Sequence, residues 1–190
     1  MRDVSSKARI YERGSRAARW GIALIELAIG YEWIISALNK MTSRGFSTGL
    51  GAELKKNLGD NPNRWYSDFL KTTIIPHARI YALLVEMSEL LIGLGFVVGA
   101  ALWLSTRLAG WSWARAIHWV VILALAGGAG LTANYYIQGG DTLPGLNPGN
   151  PYSEGLTIDG LLTLVAVALI VAHVLAQGAP TQRRTTHHGV

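Results

Sequence analysis

Five of the twelve acidic residues in this chain, Glu26, Glu32, Glu86, Glu89 and Asp159, fall inside or at the start of long apolar segments. A lone carboxylate in hydrocarbon costs several kcal/mol unless it is protonated, paired or hydrated, so acids placed this way mark candidate sites by default. With a rise of about 1.5 Å per helical residue, Glu32 and Glu86 each lie roughly 10 Å inside one end of their segments, and Glu26 and Glu89 form a deeper layer. Glu86 and Glu89 are three apart and share a helix face, whereas Glu26 and Glu32 are about 120° apart around theirs. Crowded carboxylates share protons instead of ionising independently, which suits proton uptake or release beside a redox ligand. The alternative is that they are neutral and hydrogen-bonded to backbone, Ser36, Ser88 and Tyr31. Glu32, Glu89 and Glu86 are therefore the candidate catalytic residues. Asn134, Tyr135, Asp159 and Glu26 are the candidate ligand-binding ones. Asp159 also reads as an ordinary N-terminal acid that gains from the helix dipole.

Other chemistries find less support. The chain has no cysteine, which removes thiolate metal sites, iron–sulfur ligation and thiol redox chemistry, so any redox role rests on a bound cofactor. No metal site is expected. His118 and His173 fall within about one turn of the ends of their segments, where imidazoles more often meet headgroups or water than a haem iron. The net charge of +5 does not argue for nucleic acid, because most basic residues flank the apolar segments and serve topology.

The elements that must position these acids are helices. A bilayer core about 30 Å thick needs roughly 20 helical residues to cross it, and four segments qualify: 20–38, 78–104, 117–137 and 156–177. The first follows a charged arm and lacks a small-residue cleavage site before Lys40, so it reads as a span and not as a cleaved signal. The expected fold is an all-α integral membrane protein, a four-transmembrane-helix bundle forming one domain (20–177), with a basic arm at 1–19 and a tail at 178–190. In the loop after the first span, Leu50, Leu54 and Leu58 recur every four residues around Lys55 and Lys56, predicting a short amphipathic helix. A turn at Gly59-Asp60-Asn61-Pro62 and a second stripe of Tyr66, Phe69, Leu70 and Thr73 follow, ended by Pro76. These short helices either cap one mouth of the bundle or rest on lipid. Gly95 with Gly99, and Ala126 with Gly130, have the spacing that lets membrane helices approach closely.

Arg2, Lys7, Arg9, Arg13, Arg16 and Arg19 in the arm, Arg107 and Arg115 between the second and third spans, and Arg183 and Arg184 in the tail lie on one side of such a bundle. The positive-inside tendency places that side, with both termini, in the cytoplasm of a multi-pass inner-membrane protein. Trp20, Trp111, Trp113 and Trp119 at one interface, and Tyr135 and Tyr136 at the other, fit aromatic belts.

The stretch NRWYSDFLKTTIIPHARIYALLVEMSELLIGLGFVVG, residues 63–99, resembles the DoxX/DoxD family, which includes the membrane subunit of thiosulfate:quinone oxidoreductase. Trp65, Tyr66, Phe69, Leu70, Pro76, Glu89, Leu90, Gly93 and Gly99 carry the match. Arg19, Gly21, Trp33, Ala37 and Lys40 in the first span, and Asn150 with Pro151 ahead of the last, extend it from Arg19 to Ala176. The resemblance implies a four-helix bundle in the cytoplasmic membrane and, in one branch, electron transfer from thiosulfate to quinone with tetrathionate as product. Quinone is then the expected cofactor, and the lipid bilayer and other membrane or peripheral subunits the expected partners. The alternative is a non-catalytic accessory subunit that stabilises a larger respiratory or photosynthetic membrane complex.

Overall fold

The computed structural model describes residues 3–43, 45–59, 61–105, 113–141 and 156–178, and they are helical, with no strand among them. The helices are α1 (Asp3–Thr42), α2 (Phe46–Asn57), α3 (Arg64–Phe69), α4 (Ala78–Leu104), α5 (Ala114–Gln138) and α6 (Ile158–Gly178). Four stretches, Gly14–Thr42, Arg64–Leu104, Ala114–Gln138 and Ile158–Gln177, are long and apolar enough to cross a membrane. The burial pattern is the one a lipid solvent selects. Large apolar side chains such as Leu24, Leu83, Leu91, Leu123 and Leu175 point outward, while Glu26, Glu89, Thr132 and His173 are buried. In hydrocarbon an outward Leu costs nothing and an outward carboxylate costs several kcal/mol.

Two boundaries differ from the sequence expectation. The helix of the first span runs back through the basic arm: the backbone of α1 is helical from Asp3, because the arm's Lys, Arg and Ala residues are good helix formers and no proline breaks the run into the span. Pro76 does not end a helix either. It sits in a 3₁₀ turn, Ile75–His77, preceded by a π turn at Leu70–Ile74. Proline offers no N–H and its ring crowds the carbonyl four residues back. The chain absorbs this by changing register on both sides and runs on into α4.

In the bundle α1 packs on α4, α4 on α5 and α5 on α6, while α1 and α6 meet at only a few residues. The core runs through Trp33, Ile92, Phe96, Val121, Leu125 and Leu169. Close approach depends on missing side chains. A Cβ on Gly93 would lie 3.0 Å from the Gly30 carbonyl oxygen, and one on Gly95 would lie 2.2 Å from the Ala124 Cβ. Gly99 makes room for a side chain instead: its Cβ would lie 2.8 Å from Glu26 Oε2. Gly130, expected to serve packing, has nothing within 4 Å among the described residues. The α5 glycines facing α4 are Gly127, against Ile92, and Gly128, against Ile92 and Phe96. Because the Ala124 methyl cannot rotate away, Gly95→Ala must push α4 from α5. It is expected to lower stability by about 1–3 kcal/mol, with part of the loss recovered by Ala124→Gly in the same chain. Denaturation in mixed micelles checks both, and wild-type stability in Gly95→Ala would mean that this contact has slack.

The first connecting loop forms a cap. Leu54, Tyr66 and Leu70 bury one another and pack on Leu50, Leu58, Ile74 and Ile137. Asn61, in the predicted turn, donates from Nδ2 to the Ile137 and Gln138 carbonyls at 2.9 and 3.2 Å. It thereby satisfies backbone acceptors that the end of α5 would otherwise leave open. The Tyr66 hydroxyl donates to Asn134 Oδ1 at 2.8 Å. Of the expected interfacial aromatics, Trp20, Trp113 and Trp119 are exposed. Tyr135 and Tyr136 are not a belt: Tyr136 is buried and Tyr135 turns inward to a carboxylate. Trp111, Arg107, Asn150, Pro151, Arg183 and Arg184 lie outside the described residues.

Candidate functional site

The gap between α1 and α6 is a cavity of about 550 Å³. Ala28, Ile29, Glu32, Trp33, Ser36 and Lys40 form its α1 wall, and Ile158, Asp159 and Leu162 its α6 wall. Glu89, Thr132 and Tyr135 close the back. On α1, Glu32, Ser36 and Lys40 follow at intervals of four and so share one face. They gather polar groups at the capped end, while the remaining wall is apolar.

Glu89 is the centre of the polar end and is 1 % exposed. The Lys40 ammonium donates to both of its oxygens, at 2.8 and 2.7 Å. The Tyr135 hydroxyl donates to Oε1 at 2.7 Å and Ser36 Oγ to Oε2 at 3.2 Å. A buried carboxylate is tolerated when its lone pairs are filled by a cation and by hydrogen-bond donors, and both are present. Lys40 is also held by Ser36 Oγ at 2.7 Å and lies 5.7 Å from the centre of the Phe46 ring at the start of α2. That distance is within cation–π range, so the cap presses on the ion pair. Lys40 and Tyr135 also line a second cavity of about 590 Å³ beneath the cap, together with Tyr66 and Asn134. The Lys40–Glu89–Tyr135 knot is the wall between the two spaces.

The structure thus brings Glu32, Glu89, Tyr135 and Asp159 to one cavity. Glu32 is at its exposed mouth and Asp159 is half-buried on the first turn of α6. Asn134 faces the cap cavity instead. Glu86, one turn from Glu89 and also buried, does not line the α1–α6 cavity. Sequence reasoning treated Lys40 as part of a motif and missed it as the partner of Glu89. Its spacing of four from Ser36 and eight from Glu32 was the available signal.

Glu26 belongs to a different cluster, in the other half of the bundle. It is fully buried, and its Oε1 lies 2.7 Å from His173 Nε2. The Trp103 indole N–H donates to the same Nε2 at 3.2 Å, and His173 Nδ1 lies 3.1 Å from His118 Nδ1. His173, expected near headgroups or water, is fully buried, and His118 is half-buried. The two Nδ1 atoms are spent on each other, so a haem iron held between these rings would first have to open that hydrogen bond. Among the described residues no group of three or more His, Asp or Glu side chains is arranged to hold a metal ion. No family model, no curated protein and no solved structure matches this chain, so its chemistry is read from the site itself.

Proposed function

We propose that the chain is a DoxX-like membrane subunit of an oxidoreductase and that it binds a quinone head group in the α1–α6 cavity. The observation that carries this reading is the shape of the site. An apolar slot opens sideways where two spans barely touch, and it ends in a buried Lys–Glu–Tyr knot. Such a slot suits a ligand that arrives through the bilayer with an apolar tail and a polar head. Reduction of the quinone takes two electrons and two protons to give the quinol. In the thiosulfate branch two thiosulfate ions supply the electrons and join as tetrathionate, with partner subunits conducting them to the head group. Lys40 and Tyr135 line the slot, and a quinone carbonyl entering it would take over a hydrogen bond that they now give to Ser36 or Glu89, while Glu89, Glu32 and Asp159 hand on protons. With the arm in the cytoplasm of the inner membrane, as its basic residues favour, the site lies in the outer half of the bilayer.

Gently purified protein is then expected to carry extractable quinone. Ala28→Trp, which fills the slot from an exposed position, should lower the bound amount by about tenfold or more with the unfolding midpoint preserved. Quinone retained at wild-type stoichiometry in that variant would refute this cavity as the site. A second reading, a non-catalytic accessory subunit, is favoured by the open surface at Gly130, where another helix could approach. Co-purification with a large complex that falls apart on Gly130→Leu, with no quinone bound, would select it.

A further inference from the structure

The geometry points to a proton relay through the half of the bundle opposite the cap, in which Glu26, His173 and His118 move one proton between the end carrying the α1 N-terminus and the floor of the cavity. Each of the four spans contributes one member: Glu26 from α1, Trp103 from α4, His118 from α5 and His173 from α6. Glu26 lies three residues, about 4.5 Å along the helix, from Ile29, which lines the cavity. At the other end, His118 is half-buried in the second turn of α5.

The hydrogen-bond inventory favours one resting place for the proton. An indole N–H can only donate, so its contact at 3.2 Å favours an unprotonated Nε2 on His173, whose one lone pair it shares with the Glu26 carboxyl. The contact of 2.7 Å between that nitrogen and Glu26 Oε1 then needs a hydrogen on the carboxyl. The other carboxyl oxygen agrees: among the described residues Oε2 is buried without a hydrogen-bond partner, packed against Gly99. An unpaired carbonyl oxygen of a neutral acid is far cheaper to bury than an unpaired carboxylate oxygen. With Nε2 bare, the neutral His173 ring carries its hydrogen on Nδ1 and donates it to His118 Nδ1.

Transfer follows without moving any heavy atom far. The O–H bond of Glu26 breaks as Nε2–H forms on His173; the Nδ1–H of His173 breaks as Nδ1–H forms on His118. His118, now doubly protonated, releases its Nε2 hydrogen to water at the end of the bundle. One proton has left Glu26 for the far end, the carboxylate faces an Nε2–H donor, the Trp103 N–H lacks its acceptor until the proton returns, and no electron has moved. Run in reverse, the same steps load Glu26 from outside. Supply of protons to a quinone from this side rests on the proposed function above; the relay itself does not.

Infrared spectroscopy of the purified protein without added quinone separates the two. The wild type should show a protonated-carboxyl band that Glu26→Gln removes. Transfer into deuterium oxide should shift the band at a rate that falls by about 100-fold or more in His118→Phe and His118→Gln. Of these two variants, either one that unfolds at the wild-type midpoint decides the matter, since His118 is half-buried near a helix end. Exchange at the wild-type rate in it would overturn the relay, and so would a carboxyl region unaltered by Glu26→Gln. Both results stand whether or not the cavity binds quinone.

Discussion

Lys40→Met is expected to destabilise the protein by about 3–5 kcal/mol, the loss seen when one partner of a buried ion pair is removed. Glu89 is 1 % exposed and Lys40 is 23 % exposed, and the asymmetry decides the sign of every related variant. Without the ammonium, Glu89 keeps only the hydrogen bonds of Tyr135 and Ser36 and stays buried without a counter-charge. Without the carboxylate, Lys40 has four methylenes with which to swing its head towards the cap and the bundle mouth. Glu89→Gln should therefore cost clearly less than Lys40→Met, and the double variant less than the sum of the two. Denaturation of all four proteins in mixed micelles gives the cycle. Additivity within about 0.5 kcal/mol would show that the pair does not act as a unit.

The four spans were legible because the constraint behind them is one-dimensional: hydrocarbon thickness sets a run length, and run length can be counted along a sequence. The cap was half legible. The spacing of Leu50, Leu54 and Leu58 announced its first helix, but whether that face met lipid or Tyr66 and Leu70 depended on where the chain folded back. Depth along a helix was also readable, and Glu26 and Glu89 do both lie well inside stretches long and apolar enough to cross a membrane. What depth does not give is rotation and neighbour. Glu89 finds its cation 49 positions away and Glu26 finds its imidazole 147 positions away, each on another helix. Similar depth put Glu26 and Glu89 in one layer, yet each belongs to a separate cluster. The same gap explains Tyr135. Its place near the end of a span suggests an interface, and only the rotation of α5 turns the hydroxyl to Glu89.

On the proposed function, Glu89→Gln is expected to abolish thiosulfate-dependent quinone reduction, a fall of about 100-fold or more, while the protein stays folded. Glutamine keeps the length and shape of the side chain, and its amide oxygen still accepts from Lys40 and Tyr135. What it lacks is a site that can take a proton and return it. In the wild type the carboxylate accepts from both the Tyr135 hydroxyl and the Lys40 ammonium at 2.7 Å, so when the phenol gives its proton to a reduced quinone oxygen, Glu89 takes one from Lys40 and passes it to the phenolate, and the neutral amine is recharged from the cavity mouth; an amide cannot carry that proton. Tyr135→Phe should show a smaller loss, because Lys40 still donates to the head group and Glu89 still lines the slot. If the slot is where the head group reacts, Glu89→Gln should retain its bound quinone and lose only turnover. Wild-type turnover in Glu89→Gln would remove the carboxylate from the mechanism. Loss of turnover together with loss of bound quinone would instead make Glu89 a scaffold for the cavity, its charge needed to hold Lys40 and Tyr135 in place.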